Sequence, residues 1–210
     1  MLQIIIRAAD KMEMNVTKGK IEFEKRLNSL DDFVIDFTAI LNKIGIKYVI
    51  VSGYVSILFG RNRSSEDIDI IMERVSFAKF RAMCKALSRA FECINALEPK
   101  EAYDLYLLNS LAIRFARKNK IMPNVELKFP HAELDDWTLA HRKKVVLNGK
   151  IMFISPIELQ IPFKLFLGSE KDIEDAKYLY GLFKKFLDLS LLQQFNRKLK
   201  IEKTFNAYLR

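Results

Sequence analysis

Asp67 and Asp69 stand two residues apart in the run Asp67-Ile68-Asp69-Ile70-Ile71, whose apolar β-branched members predict a strand. Side chains alternate along a strand, so both carboxylates leave from one face and can converge on one small volume. Two like charges so close repel unless something positive joins them, and a divalent cation with oxygen ligands is the usual partner. Upstream, Tyr48 to Val51 predicts a buried strand, Ser52-Gly53 breaks it, and Tyr54 to Phe59 forms a short apolar helical segment. Backbone N–H groups at that break offer a seat for an anion such as phosphate. Gly60 ends the segment, and Arg61 to Ser65 form a polar loop leading into the aspartates. Taken alone, Asp-Ile-Asp is also what a solvated acidic turn looks like. The glycine, the basic loop and the flanking strands argue for metal-assisted chemistry on a phosphate.

The stretch Ser52-Gly53, then Arg63-Ser64-Ser65-Glu66-Asp67-Ile68-Asp69, resembles the signature of the DNA polymerase β-like nucleotidyltransferase superfamily. Within it, the pattern is most similar to the toxin-type, AbiE-like (AbiEii-type) branch. Ser52 stands where that branch often has a first glycine, and Ser65 where it has threonine. A second stretch, Lys164 to Asp175, also resembles that branch through Lys164, Lys171, Asp172 and Asp175. Ser169 occupies a place where an arginine is common, which removes one expected phosphate contact. Read without the resemblance, Asp172 and Asp175 share a helix face near its N-terminus, where acidic residues are favoured by the dipole.

The resemblance implies an α/β (α+β) fold: a small mixed sheet flanked by helices, with a helical subdomain at the C-terminal side. It also implies a third carboxylate on a neighbouring strand, for which Glu126 in Val125-Glu126-Leu127-Lys128-Phe129 is the candidate by order and context. The same alternation equally describes Glu126 and Lys128 as the wet face of a half-exposed strand. The implied activity is transfer of a nucleoside monophosphate from an NTP to a hydroxyl. Asp67, Asp69 and Glu126 would hold Mg²⁺ or Mn²⁺. Ser52, Gly53, Arg63, Ser65, Lys164, Lys171, Asp172 and Asp175 would form the nucleotide site. The acceptor would be an RNA end, especially tRNA, or a protein hydroxyl, and a toxin of this kind would have a cognate antitoxin protein as partner. The alternative is a catalytically silent nucleotide- or nucleic-acid-binding module of the same fold.

Around these residues the hydrophobic pattern predicts the elements that must carry them. Phe23, Leu27, Leu30, Val34, Phe37, Leu41 and Ile44 recur at helical spacing over residues 22–44, with a fresh start possible near Ser29-Leu30-Asp31-Asp32. Val75 to Phe91 predicts another helix, Glu92 to Ala96 and Leu111 to Phe115 predict strands, and Asn148-Gly149 predicts a hairpin over 145–153. Ser155 as N-cap and Pro156 begin a helix that Pro162 would kink or split, and helices 171–186 and 188–208 follow. This divides the chain into an unassigned segment 1–21, a nucleotidyltransferase core 22–154 and a helical subdomain 155–210.

Composition narrows the partners. Half of the 210 residues are hydrophobic and the formal charge is +9, which points to nucleotide, RNA or an acidic protein and argues against a cationic small substrate. A solvated basic surface would give the same balance. No apolar run approaches the ~18 residues of a membrane span, and no signal-peptide order is present, so a cytoplasmic protein with reduced core cysteines at 84 and 93 is expected. With two histidines, and no Cys/His cluster or P-loop glycine pattern, neither a zinc site nor a P-loop is expected.

Overall fold

A computed structural model describes residues 4–7, 13–17 and 19–209. Ten strands among these residues form one mixed sheet in the order β1-β2-β3-β9-β10-β4-β5-β8-β7-β6. The strands are β1 Ile4–Arg7, β2 Glu13–Val16, β3 Lys20–Phe23, β4 Tyr48–Ile50, β5 Asp67–Met72, β6 Phe91–Cys93, β7 Ile113–Arg117, β8 Asn124–Lys128, β9 Lys143–Leu147 and β10 Lys150–Ile154. The mixed sheet and flanking helices agree with the expected class, but the sheet is larger than expected. The enlargement comes from β1 to β3, most of which lie in the segment 1–21 that the hydrophobic pattern leaves unassigned.

One helix predicted from Glu22 is shorter. The α1 helix runs Ser29–Lys43, and Lys20–Phe23 is instead a strand. Two periods compete there. Ile21 and Phe23 are buried at strand spacing, and Asn28 closes a capping box with Asp31 that starts the helix at Ser29, seven residues after Glu22. Asp31 is fully buried and also accepts hydrogen bonds from Lys25 Nζ and Tyr54 OH, each at 2.9 Å. That carboxylate therefore ties the start of α1 to α2, Gly53–Leu58.

The remaining helices are α3 Phe77–Leu87, α4 Pro99–Glu101 with a π turn and a 3-10 turn after it, α5 Glu133–Ala140, α6 Ile157–Leu167, α7 Glu170–Phe183, α8 Leu189–Lys198 and α9 Glu202–Leu209. The hairpin is as expected: Asn148 and Gly149 both take positive φ, 48° and 74°, the geometry of a type I′ turn. Pro162 does not split α6, which continues unbroken across it. Pro156, not Ser155, is its N-cap, and Ser155 Oγ donates to Gln160 Oε1 at 2.6 Å. The single helix expected from 188 to 208 is two, parted at Lys200, whose φ of 57° is left-handed.

Alternation sorts β5 into two faces. Ile68, Ile70 and Met72 point into the main core with Phe37, Phe80, Leu127 and Ile154. Asp67, Asp69 and Ile71 leave from the opposite face, where Ile71 meets Val49, Val51 and Leu139 of α5. The C-terminal helices join the main core through Ile161, Leu165, Leu179 and Phe183, and the Phe183 ring meets Phe59 edge-on at 4.8 Å. Among the described residues, no helix is long and apolar enough to cross a membrane.

Candidate active site

Strands β5 and β8 run parallel with Asp67 opposite Asn124 and Asp69 opposite Glu126. Register-matched residues on neighbouring strands share a face, so Asp67, Asp69 and Glu126 stand together beside the strand break at Ser52. Burial pushes the Asp69 carboxyl above the ordinary range. The Ser52 hydroxyl offers it a hydrogen bond and opposes that rise, Glu126 and Asp67 add to it, and Lys128 counters. The site is thus an excess of negative charge, partly withdrawn from water.

The three carboxylates do not yet act together. Asp67 accepts from Asn124 Nδ2 at 2.6 Å, and Glu126 Oε1 pairs with Arg114 Nη2 at 2.5 Å across β7 and β8. Accordingly, among the described residues no three His, Cys, Asp or Glu side chains are gathered closely enough to hold a metal ion. The donor set nonetheless suits a hard cation. Its ligands are carboxylate oxygens, and the buried Oδ1 of Asn124, beside Asp67, has no hydrogen-bond partner.

Ser52 takes φ 64° and ψ −138°, a region that L residues other than glycine rarely enter. That is the physical sense of the glycine common at this place in the resembling family. Gln160 Nε2 holds the conformation by donating to the Ser52 carbonyl at 2.7 Å, and Ser155 in turn holds Gln160. Gly53 leaves room for the Arg63 guanidinium: a Cβ there would stand 3.1 Å from Arg63 Nη2, so a side chain would press the guanidinium aside by a few tenths of an ångström.

The second motif forms its own cluster. Asp175, fully buried, accepts from Arg61 Nη1, from Arg63 Nη1 at 2.5 Å and from Lys164 Nζ at 2.9 Å. Lys164 also reaches Asp172 at 2.6 Å. Burial would raise the Asp172 carboxyl, but hydrogen bonds from Lys164 and Ser169 and the charges of Lys164 and Arg63 hold it below its usual value. Ser169 is the N-cap of α7. Lys171 contributes only its carbonyl, which accepts from Arg61 at 3.0 Å, while its side chain is exposed. Ser65 Oγ donates to the Asp67 carbonyl at 3.0 Å. Arg63 links the clusters, since it touches both Gly53 and Asp175.

Asn124 and Gln160 escaped the sequence reading, though alternation from Glu126 could have found Asn124. Arg61 was read only as part of the polar loop and Arg114 only as one of several basic residues, without the carboxylates they pair with.

With this geometry in view, the likeness to solved structures bears on the chain. An antigenic nucleotidyltransferase-like protein from Paracoccidioides brasiliensis superposes with a TM-score of 0.51 at 19% identity, over 84% of this chain and 89% of that one. The chain has a nucleotidyltransferase-like fold. Identity at that level speaks for the fold and not for a branch within it. No protein-family model matches the chain, and no curated protein does.

Proposed function

We propose that the chain is a metal-dependent nucleotidyltransferase that moves a nucleoside monophosphate from an NTP to a hydroxyl, breaking the α–β phosphoanhydride bond and releasing pyrophosphate. One observation carries the reading: Asp67, Asp69 and Glu126 share one sheet face, with the strained Ser52 beside Asp69. Asp67 and Asp69 would hold Mg²⁺ or Mn²⁺, with Glu126 and the Asn124 carbonyl oxygen completing the set. Bound there, the metal supplies charge neutralisation at the phosphates and a lowered pKa for the attacking hydroxyl.

The chain's own residues do the rest. Ser52 and Gly53 present backbone and hydroxyl donors to phosphate oxygens, and Arg63, released toward Gly53, offsets their charge. Glu126 accepts the proton of the acceptor hydroxyl once Arg114 leaves it. That exchange is inexpensive, because Arg114 is half exposed and exposed ion pairs contribute ~0–1 kcal/mol. The excess of 35 basic over 26 acidic residues favours RNA, including a tRNA end, over a protein hydroxyl as acceptor. The two motif resemblances extend the reading to a toxin with a cognate antitoxin.

A second reading is the catalytically silent binding module. The pairing of Glu126 with Arg114, and of Asp175 with three cations, favours it. Incubation with α- and γ-labelled NTPs, Mg²⁺ and total RNA separates the two. Transfer of the α label to RNA or protein is expected. Transfer of the γ label would make the chain a kinase, and no transfer despite metal-dependent NTP binding would establish the silent module.

A further inference from the structure

Away from the carboxylate face, a cavity of about 400 Å³ opens between β2, β3, α6 and the α7–α8 connection. Its walls are apolar: Val16, Ile21, Ile157, Phe183, Phe186 and Leu191. Into this lining the fold brings Glu158, which is only 7% exposed. Its Oε1 accepts the backbone N–H of Asp188 at 3.3 Å, while Oε2 is buried with no hydrogen-bond partner. An unpaired buried carboxylate oxygen is costly, which singles Glu158 out among the residues around this cavity. Asp188 lines the same cavity, its own carboxylate engaged in capping α8 through the Leu191 N–H at 3.0 Å.

The Ser52 support does not use this acid. Gln160, two residues along α6, holds Ser52, whereas Glu158 faces the cavity. The volume lies in the range of small-molecule sites, which combine apolar walls with a few fixed polar groups. We propose that this cavity is a binding site for a small organic amine: an ammonium group set against Glu158, carried on an aromatic or branched apolar body packed against Phe183 and Phe186. The chain's formal charge of +9 opposes cations at long range, but salt screens that field over ~8 Å at physiological strength. Among the described residues the charged lining of the cavity is Glu158, Asp188 and Lys143, two acids to one base.

The proposal does not depend on nucleotidyl transfer, and its test reads binding alone. Phenethylammonium chloride and neutral 2-phenylethanol are titrated into the full chain by calorimetry at about 0.15 M salt. The amine should bind saturably and at least tenfold more tightly than the alcohol. Glu158→Gln retains an oxygen for the Asp188 N–H, so it should fold. It should weaken the amine at least tenfold and leave the alcohol unchanged. Leu191→Trp, which fills the cavity from α8, should weaken both. Equal affinity for amine and alcohol, or an amine affinity unmoved by Glu158→Gln, would overturn the proposal, as would the absence of saturable binding. Nα-acetyl-lysinamide distinguishes the source of the ammonium. If it binds as tightly as phenethylammonium, the site takes a lysine side chain of a protein and the small-amine assignment falls.

Discussion

Replacing Ser52 separates two effects that the structure places on one residue. Its left-handed backbone, φ 64° and ψ −138°, costs on the order of 1–3 kcal/mol for a residue with a Cβ. Its hydroxyl, set toward Asp69, opposes the rise of that carboxyl. Ser52→Ala keeps the strain and removes only the hydroxyl, so it should change stability by less than about 1 kcal/mol. Ser52→Gly also removes the hydroxyl but relieves the strain, against an added unfolded-state entropy of roughly 0.5–1 kcal/mol. The glycine variant should therefore exceed the alanine variant by about 1 kcal/mol, or about 2–4 °C in Tm for a chain of this size. Urea titration of both variants measures the order directly. If Ser52→Gly is less stable than Ser52→Ala at unchanged m value, the strain does not exist as described, and the family's glycine preference needs another cause.

Asp67→Asn combined with Asp69→Asn should abolish Mg²⁺-dependent NTP binding in calorimetry while the circular dichroism spectrum stays that of the parent; equal affinity would remove the metal site. Glu126→Gln should lower turnover by orders of magnitude yet change NTP affinity little, and a matched loss of both would deny it a role in the chemical step. Asp175→Asn leaves Arg61, Arg63 and Lys164 short of their shared carboxylate, with Lys164 only 2% exposed, and should cost about 3–5 kcal/mol in urea unfolding. A change under 1 kcal/mol would mean the cations find other partners. Burial pushes the Cys84 thiol up to about 12 from its ordinary 9.0, and nearby Cys93 adds to the rise. A raised thiol stabilises the fold fully below the unfolded value and loses that contribution as pH climbs toward 12, so a thiol reagent at pH 8 should label Cys84 slowly unless urea is present.

Local signals were read well where one physical rule governed. Asn148-Gly149 fixed its hairpin because only a primed turn suits those residues. The shared face of Asp67 and Asp69 followed from strand alternation, and Glu126 came to the same face because β8 aligns in register with β5. Residues 22 and 23 were misjudged because Phe23 fits both a helical stripe and a strand. Pairing with β2 and β9, which no local window contains, decided in favour of the strand. The α5 helix went unnoticed, since Glu133–Ala140 has too short an apolar stripe to stand out. The Asp175 hub was illegible for the same kind of reason. Its arginine partner at 63 is 112 residues away, and a carboxylate near a helix start already had a sufficient local explanation.

The pairing of β5 with β8, of β3 with β9 and of β4 with β10 has a consequence for how the chain acquires its site. Each pair joins segments separated by a large part of the sequence, and loop closure over such distances makes folding slow. During synthesis, Arg61 and Arg63 emerge more than a hundred residues before the carboxylate that pairs with them. Until α7 is made, those cations face the surroundings without their carboxylate. Ribosomal RNA and other polyanions are the nearest partners for them. A chain halted before Asp175 should therefore adhere to polyanions more tightly, and with a steeper salt dependence, than the finished protein does, and completion of α7 would loosen that hold.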